Sequence, residues 1–354
     1  MLQNINKLIA TNLFVYSFGH ALIDATTVGV LFATGFLNNL AIEEIVLLVI
    51  LYNVLAFALQ AVIGFGVDYF KAPVEGALIG CLLSGLSIIS LITINIPLLT
   101  VILAGIGNAF YHVGGGVISL NLNPKKATYP GIFVSTGAIG LLIGTLVGKS
   151  GNFYVLPFIL LLILLVVAIK FIGAPKINHK KIASASLKRF ELIVLFLLIT
   201  ITSRALVGTL LQFSWKSDFT LLIMLTGAIV LGKALGGIIG DKFGWAKVAM
   251  FGLILSAPLL FFGPEFALLG ILGAFFFNFT MPITLTALAN TMPNHKGFAF
   301  GLTTLALIIG ALPSFTPLKN LANPLFISII ILGSAIILYK GLKMHLEDFA
   351  SAKT

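Results

Sequence analysis

Residues 19–24 have the sequence Gly-His-Ala-Leu-Ile-Asp and lie in the middle of an apolar run that extends from Ile9 to Phe36. This run is long enough to cross a lipid bilayer as a helix, which takes about 20 apolar residues. His20 and Asp24 are four residues apart, so on a helix they share one face. Ionisable side chains at bilayer depth are costly and usually face a bundle interior or a water-filled cavity. The stretch therefore predicts a cavity between membrane helices, with this face as part of its wall.

The composition is that of a polytopic membrane protein. Of the 354 residues, 59% are hydrophobic and only 9% are charged, whereas a soluble domain averages about 25% charged residues. In a soluble protein a net charge of +10 would suggest a nucleic-acid partner. Here the positive-inside rule explains the charge, and no nucleic-acid partner is expected. Cys81 is the only cysteine, which excludes an intrachain disulfide and a metal site built from several cysteines.

The chain divides into apolar segments that are each near the length of a membrane span. Short breaks with turn and charged residues separate them, and no room remains for a soluble domain. The first segment has no cleavage pattern of a signal peptide and is expected to be a retained helix. The twelve predicted segments are 9–36, 42–67, 73–94, 96–120, 130–149, 152–173, 190–213, 219–240, 246–263, 266–290, 296–317 and 322–342.

The longest charged break, Pro175–Arg189, falls near the midpoint of the chain and carries five Lys and Arg residues. We expect an N-terminal six-helix bundle at 1–174, a cytoplasmic basic linker at 175–189, and a C-terminal six-helix bundle with a short cytoplasmic tail at 190–354. With both termini inside, the inner breaks and tails hold 16 Lys and Arg residues and the outer breaks hold 3. The positive-inside rule therefore predicts a multi-pass protein of the cytoplasmic membrane with both termini in the cytoplasm.

The two halves resemble each other in sequence. Segment five aligns with segment eleven at the same offset that places His112 on Asn278, and the run after His20 aligns with the run after Arg204. Four such matches in the same helix order indicate a six-plus-six duplication, which is typical of transporter folds built from repeats.

The candidate substrate-binding residues are polar groups far from the ends of their segments, on the first and fourth segment of each half. By repeat symmetry these segments would surround one site near the bilayer midplane. The alternative for each residue is local, since a histidine can bond a backbone carbonyl and an asparagine can join two helices. The candidates are His20, Asp24, Asn108, His112, Arg204, Gln212 and Asn278.

Asp24 and Arg204 are the most informative of these residues, because a buried charge is costly unless it is paired. One arrangement is a pair between them across the two halves, either structural or acting as a switch. Proton coupling is a natural use of Asp24, with His20 as a second proton-coupling group, because burial and neighbouring charges change the proton affinity of a carboxyl group. Arginine suits carboxylate and phosphate groups, so an anionic or zwitterionic solute is favoured. The alternative is a metal ion held by His20, Asp24 and His112.

Two glycine–acid patterns lie at helix ends on the predicted cytoplasmic side, and we predict that they act in gating. They comprise Gly64 with Asp68, and Gly237 with Asp241 and Gly244. Glycine lets a neighbouring helix approach closely, and the acid can meet a helix N-terminus or a cation across the gap.

Two further features are expected to be structural. Lys233 shares a helix face with Gly237 and Asp241 and is expected to extend toward the inner surface without a role in substrate binding. Gly140, Gly144 and Gly148 form a close-packing stripe on segment five.

Taken together, these patterns resemble the major facilitator superfamily along nearly the whole chain. The Gly237–Gly244 stretch is similar to the loop motif of that family, and its counterpart after segment two keeps Gly64 and Asp68 but has Lys71 at the usual glycine position. The resemblance implies that Asp68 and Asp241 help to lock the cytoplasmic side during alternating access.

A narrower resemblance is to fosmidomycin-resistance-type members of the superfamily. It is carried by His20 and Asp24 and by the run Gly105–His112, but Val113 follows where those relatives usually have proline. The glycine-proline pattern of antiporters is also absent at Gly144–Gly148. Efflux of a drug or toxic compound is what the resemblance implies, and substrate identity does not transfer.

The sequence thus predicts an all-α membrane protein with twelve helices in two pseudo-symmetric bundles. It is expected to be a secondary transporter of a small anionic or amphiphilic solute, coupled to protons, and neither an enzyme nor dependent on a cofactor. Its expected partners are the solute, protons and membrane lipids, and it is expected to be a monomer. Uptake of a metabolite or metal ion remains an alternative, as does a membrane enzyme or sensor on a transporter scaffold.

Overall fold

The computed structural model describes residues 2–151, 153–172, 189–321 and 323–351. Twelve helical spans in these ranges are long and apolar enough to cross a membrane, so the twelve predicted segments are confirmed. We number them α1 (Asn6–Leu37), α2 (Ile42–Phe70), α3 (Pro73–Ile94), α4 (Pro97–Leu122), α5 (Thr128–Lys149), α6 (Val155–Ile172), α7 (Phe190–Leu210), α8 (Phe219–Phe243), α9 (Trp245–Phe262), α10 (Ala267–Thr291), α11 (Lys296–Phe315) and α12 (Pro324–Asp348).

Short irregular turns interrupt α2 and α10 and form the end of α3. A π-helical turn occurs at Val54–Ala58 in α2 and another at Ser90–Ile94 in α3. In α10 the α-helix ends at Phe277 and resumes at Thr280. Such turns leave some backbone carbonyls outside the regular helical pattern. One of them, the carbonyl of Phe57, accepts a hydrogen bond from the Thr304 hydroxyl of α11 at 2.9 Å, which joins the two halves of the chain near mid-depth.

The spans form two six-helix bundles of matching construction. In the first bundle α1 packs against α4 and α5, and α3 packs against α4. In the second, α7 packs against α11 and α12, and α9 packs against α10 and α12. The principal contacts between bundles are also paired, because α5 packs on α8 and α2 packs on α11.

The glycine stripe of α5 allows the closest approach within the first bundle. A Cβ atom at Gly140, Gly144 or Gly148 would collide with main-chain atoms of α1. The predicted close-packing stripe therefore lies against the helix that carries His20 and Asp24, and it brings α5 into the wall of the space next to them.

The connections α2–α3, α4–α5, α8–α9 and α10–α11 share one side of the molecule, which we call the basic face. The connections α1–α2, α3–α4, α5–α6, α7–α8, α9–α10 and α11–α12 lie on the opposite face. Residues 173–188, most of the predicted linker, lie outside the described residues, and the predicted domain boundaries stay predictions. At the basic face the Arg189 guanidinium donates to Glu347 Oε2 at 3.0 Å and to Asp348 Oδ1, so the start of α7 is tied to the end of α12.

Candidate functional site: a charged cavity between the bundles

A cavity of about 500 Å³ lies between the two bundles. Both bundles contribute to its wall, chiefly α1, α4 and α5 from the first and α7, α8, α10 and α11 from the second. The cavity reaches Phe213 and Lys216, in the connection between α7 and α8 on the opposite face. Its volume lies in the range of small-molecule sites, about 300–1,000 Å³.

Most of the predicted substrate-binding residues border this cavity. His20, Asp24, His112, Arg204 and Asn278 line it. Asn108 is buried behind Asp24 and does not border the cavity, and its side chain positions the carboxylate instead. Gln212 is exposed and follows the end of α7 at Leu210, so the structure does not place it among the lining residues.

His20, Asp24 and His112 form a compact cluster on the wall of the first bundle. His20 Nε2 lies 3.3 Å from Asp24 Oδ2, and His112 Nε2 lies 3.5 Å from Asp24 Oδ1. The two imidazole rings meet edge to face with centroids 4.3 Å apart. The cluster is well shielded from solvent, because Asp24 is only 5% exposed. Among the described residues, these three form a group whose side chains could act as metal ligands.

The outer nitrogen of each imidazole fixes its tautomer. His20 Nδ1 lies 2.7 Å from the carbonyl oxygen of Phe133, and His112 Nδ1 lies 2.8 Å from that of Asn108. A carbonyl oxygen only accepts, so each Nδ1 carries the proton. In the neutral rings, both Nε2 lone pairs are therefore directed at the carboxylate of Asp24.

A hydrogen-bond chain supports the carboxylate from behind. Asn108 Nδ2 donates to Asp24 Oδ1 at 2.8 Å and to Thr27 Oγ1 at 3.1 Å. The Thr27 hydroxyl lies 2.8 Å from the hydroxyl of Tyr52, which is buried in α2. Three spans thus hold Asp24 in place, which limits its rotation.

Gly137 of α5 leaves the space that the cluster occupies. A Cβ atom there would lie 2.6 Å from His20 Nε2 and 2.7 Å from Asp24 Oδ2. The sequence interpretation missed this residue, because its neighbours are distant in the chain.

The wall of the second bundle carries two cations, Arg204 of α7 and Lys233 of α8. The pair between Asp24 and Arg204, one of the arrangements considered, is not formed, because Asp24 is within ion-pair distance of the two histidines instead. Arg204 Nε is buried and has no hydrogen-bond partner among the described residues. Lys233 Nζ lies 3.4 Å from the carbonyl oxygen of Val134. The interpretation of Lys233 as a lysine that extends to the surface was wrong, since it borders the cavity.

The basic face is closed by contacts between the bundles. Asp68 of α2 accepts hydrogen bonds from the main-chain N–H groups of Gly297 and Phe298 at 2.9 and 2.8 Å. These are in the first turn of α11, where a carboxylate is stabilised by unpaired N–H groups and the helix dipole.

Asp241 of α8 makes the matching contact at the start of α5. It accepts from the N–H groups of Ala127 and Thr128 at 2.8 and 2.9 Å, and also from the Trp245 indole at 2.9 Å. Of the two partners considered for these acids, a helix N-terminus or a cation, both acids contact a helix N-terminus across the gap, and their gating role stays a prediction. Gly244 has φ +99 and lies between α8 and α9, where this backbone conformation favours glycine.

The predicted gating glycines allow the bundles to touch at this face. A Cβ atom at Gly64 would collide with the main chain of Gly297, and one at Gly237 would lie 2.5 Å from the carbonyl oxygen of Ala127. A further contact, which the sequence interpretation missed, comes from Lys296, whose Nζ donates to Asn121 Oδ1 at 2.9 Å at the end of α4. The cavity is therefore closed toward the basic face and open toward the opposite face.

No protein-family model and no curated protein matches the sequence. Solved structures do match the fold. The E. coli fucose:proton symporter FucP aligns with a TM-score of 0.66 and 13% identity over 95% of this chain and 98% of that chain. A bacterial homologue of the iron transporter ferroportin, in an outward-facing state, aligns with a TM-score of 0.61 and 13% identity over 97% and 99%.

The proton:xylose symporter XylE, a major facilitator superfamily protein, aligns with a TM-score of 0.62 and 14% identity over 94% and 95% of the two chains. The narrower resemblance to fosmidomycin-resistance-type members stays a prediction. With near-complete coverage of three transporter structures, the chain has the fold of the major facilitator superfamily.

Proposed function

We propose that this chain is a secondary active transporter that moves a small anionic solute across the cytoplasmic membrane by alternating access. The observation that carries the proposal is the pair of cations, Arg204 and Lys233, in a cavity that lies between two bundles and is open toward one face. Charges at this depth are costly and are typically retained where they serve a substrate or ion pathway.

The chemistry of the second-bundle wall supports an anion. Arginine presents a planar fork of donors that fits a carboxylate or phosphate group with two hydrogen bonds. Lys233 adds a second positive charge on the neighbouring span. An anionic group of the solute would pair with charges that otherwise face the cavity, and the apolar remainder of the lining would contact the rest of the molecule.

The cluster of His20, Asp24 and His112 supports coupling to a cation. Two imidazole lone pairs and a carboxylate converge there, and this arrangement is stabilised when a positive charge lies among them. We predict that the coupling ion is a proton and that Asp24 and His20 are the proton-coupling groups. Two of the similar structures are described as proton symporters. The direction of transport stays open between efflux, which the sequence resemblance implies, and uptake of a metabolite or metal ion.

The contacts between the bundles at the basic face support alternating access, because they close one side of the cavity while the other side is open. The closed basic face must open, and the opposite face must close, for a solute to cross. Asp68 and Asp241 with their glycines are the proposed gating residues, and both termini are proposed to lie in the cytoplasm.

The test is solute uptake into proteoliposomes that contain the purified protein, with an imposed pH gradient and a panel of small carboxylates, phosphates and uncharged sugars. We expect transport of an anionic solute, with apparent affinity reduced about 10–100-fold in Arg204→Gln, because a hydrogen bond to a charged group contributes about 1.5–3 kcal/mol. Arg204→Lys should restore part of this affinity. Lys149→Gln is the matched control, since Lys149 is an exposed cation of α5 that does not line the cavity.

Equal transport by Arg204→Gln and the unmodified protein would contradict the proposal for this residue. Conversion of solutes without net movement would favour the alternative of a membrane enzyme. Preference for uncharged solutes would exclude the anion hypothesis while leaving the transporter assignment in place.

A further inference from the structure

The imidazole lone pairs of His20 and His112 converge on one carboxylate. His20 Nε2 and His112 Nε2 both point at Asp24, because each Nδ1 donates to a carbonyl oxygen. Without a positive charge between them, these three electron-rich groups repel one another in a shielded environment. The folded protein nevertheless holds them together with packing and hydrogen bonds from three spans, so the cluster is built to receive a cation.

The two shortest distances within the cluster are close to those between ligands of one metal ion. They end on different oxygens of Asp24, so the three ligand atoms would move closer together to share an ion. Ligand atoms about 2.0–2.1 Å from a tetrahedral zinc ion lie about 3.3–3.4 Å from each other. The two histidine nitrogens lie 3.3 and 3.5 Å from their respective carboxylate oxygens. All three ligand atoms lie within 4.8 Å of one another.

The groups behind the ligands are those that metal sites require. Metal-binding histidines almost always donate their other ring N–H to a carbonyl or carboxylate, which fixes the ring and strengthens the ligand. Both histidines do so here, and Asn108 in turn donates to the carboxylate of Asp24. A pair of histidines that served only to pack the helices would not need both lone pairs aimed at one carboxylate.

From these observations, the geometry points to a binding site for a divalent transition-metal ion, of the Zn²⁺ or Co²⁺ type, formed by His20, Asp24 and His112. Two imidazole nitrogens and one carboxylate suit such ions, whereas Mg²⁺ and Ca²⁺ take mainly oxygen ligands. The site is a binding property of the protein and does not depend on which solute is carried.

The position of the site leaves room for a further ligand from the cavity. His20, Asp24 and His112 all border the cavity, so an ion with three protein ligands keeps a coordination position on that side. Arg204 and Lys233 line the same cavity from the second bundle. A carboxylate or phosphate group could therefore coordinate the ion and pair with these cations at the same time.

The experiment is a titration of the full-length protein in detergent with CoCl₂ at fixed pH, with a purification tag that contains no histidine. Tetrahedral Co²⁺ with nitrogen ligands gives visible absorption bands that report the coordination directly. We expect saturation at a single Co²⁺ per chain, displacement by ZnCl₂ and no displacement by MgCl₂. Cys81 is buried in α3 and is not part of the cluster, so no thiolate band is expected.

Variants separate this site from other histidines. Asp24→Asn and His112→Gln should abolish the bands, and Asn108→Ala should weaken binding about 10–100-fold, as loss of a supporting group does at other metal sites. His295→Gln is the control, because His295 is exposed in the α10–α11 connection. Gel filtration and thermal unfolding establish that each variant is folded.

The proposal is overturned if no bands appear at saturating CoCl₂, if Mg²⁺ competes as well as Zn²⁺, or if bands persist unchanged in Asp24→Asn and His112→Gln. Gly137→Ala keeps all three ligands but adds a methyl group against two of them. It should weaken Co²⁺ binding, whereas Gly208→Ala, where a Cβ atom meets nothing within 4 Å, should not. Binding of an anionic solute in metal-free buffer tests the proposed function separately, so the two can fail independently.

Discussion

Asp68 and Asp241 make the same contact from opposite bundles. Each carboxylate accepts two main-chain N–H groups at the start of a helix in the other bundle, Asp68 at α11 and Asp241 at α5. The contacts cross in opposite directions, so the basic face is held at two symmetric points. Opening of that face requires both carboxylates to leave their helix ends.

The first prediction is that Asp241→Asn opens the basic face. Loss of the charge removes an interaction with a helix terminus that contributes about 1–2 kcal/mol when partly buried. The measurement is the distance between spin labels at Lys125→Cys and Lys247→Cys, two exposed positions on this face in different bundles, in a Cys81→Ala background. We expect a larger population at long distance.

Asp218→Asn is the matched control for this change. Asp218 accepts from the N–H of Leu221 at 2.9 Å and caps α8 within its own bundle on the opposite face. Its loss should leave the label distances unchanged. The same distance distribution in Asp241→Asn and Asp218→Asn would exclude a gating role of the acid.

The second prediction compares two glycines of α2. Gly64→Ala places a methyl group against the main chain of Gly297, whereas Gly66→Ala meets nothing within 4 Å. Main-chain atoms cannot move aside as a flexible side chain can, so Gly64→Ala should hold the bundles apart at the basic face. With the same pair of spin labels, Gly64→Ala should lengthen the distance and Gly66→Ala should not. Equal distances in both variants would show that close approach at Gly64 is not needed for closure.

The third prediction is that transport requires the undisturbed cluster of His20, Asp24 and His112. Gly137→Ala adds a Cβ atom 2.6 Å from His20 Nε2, and overpacking of this kind costs about 1–3 kcal/mol. Gly208→Ala changes another glycine that borders the cavity but where the methyl group has space. Gradient-driven transport in proteoliposomes should fall strongly in the first variant only. Unimpaired transport by Gly137→Ala would argue against a role of this cluster in coupling.

The fourth prediction fixes the orientation in the membrane. In the Cys81→Ala background, single cysteines at Lys125 and Lys216 lie on the basic and the opposite face, and both positions are exposed. With a membrane-impermeant maleimide on intact cells, Lys216→Cys should react, and Lys125→Cys should react only after permeabilisation. The reverse pattern would contradict the positive-inside assignment.

Much of the fold could be predicted from the sequence, because the length of each apolar run and the charge in each break are local properties. The spacing of His20 and Asp24 placed both on one helix face, and the structure brings His112, which the sequence analysis grouped with them as a possible metal ligand, into contact with Asp24. A helix N-terminus was one of two partners that the sequence offered for Asp68 and Asp241, because a carboxylate near unpaired N–H groups is stabilised regardless of the partner sequence.

The remaining parts of the site depend on how the helices are rotated against each other. Whether Lys233 extends to the surface or toward the cavity is decided by the packing of α8 on α5, which no local pattern reports. The partner of Asp24 could not be predicted for the same reason, since His112 and Arg204 were both available. Gln212 was predicted to lie within segment seven. Since α7 ends at Leu210, Gln212 lies beyond the helix, and helical spacing does not give its position.

The closing contacts at Asp68 and Asp241 use amide hydrogens of the receiving helix, and every amino acid except proline supplies one. In the Asp241 contact the receiving segment also contributes a side chain, because the hydroxyl of Thr128 donates to Asp241 Oδ2. The amide part of each contact tolerates a change of side chain in the receiving segment, except at positions limited by space. Gly297 is such a position, since a Cβ atom there would lie 2.7 Å from the carbonyl oxygen of Gly64.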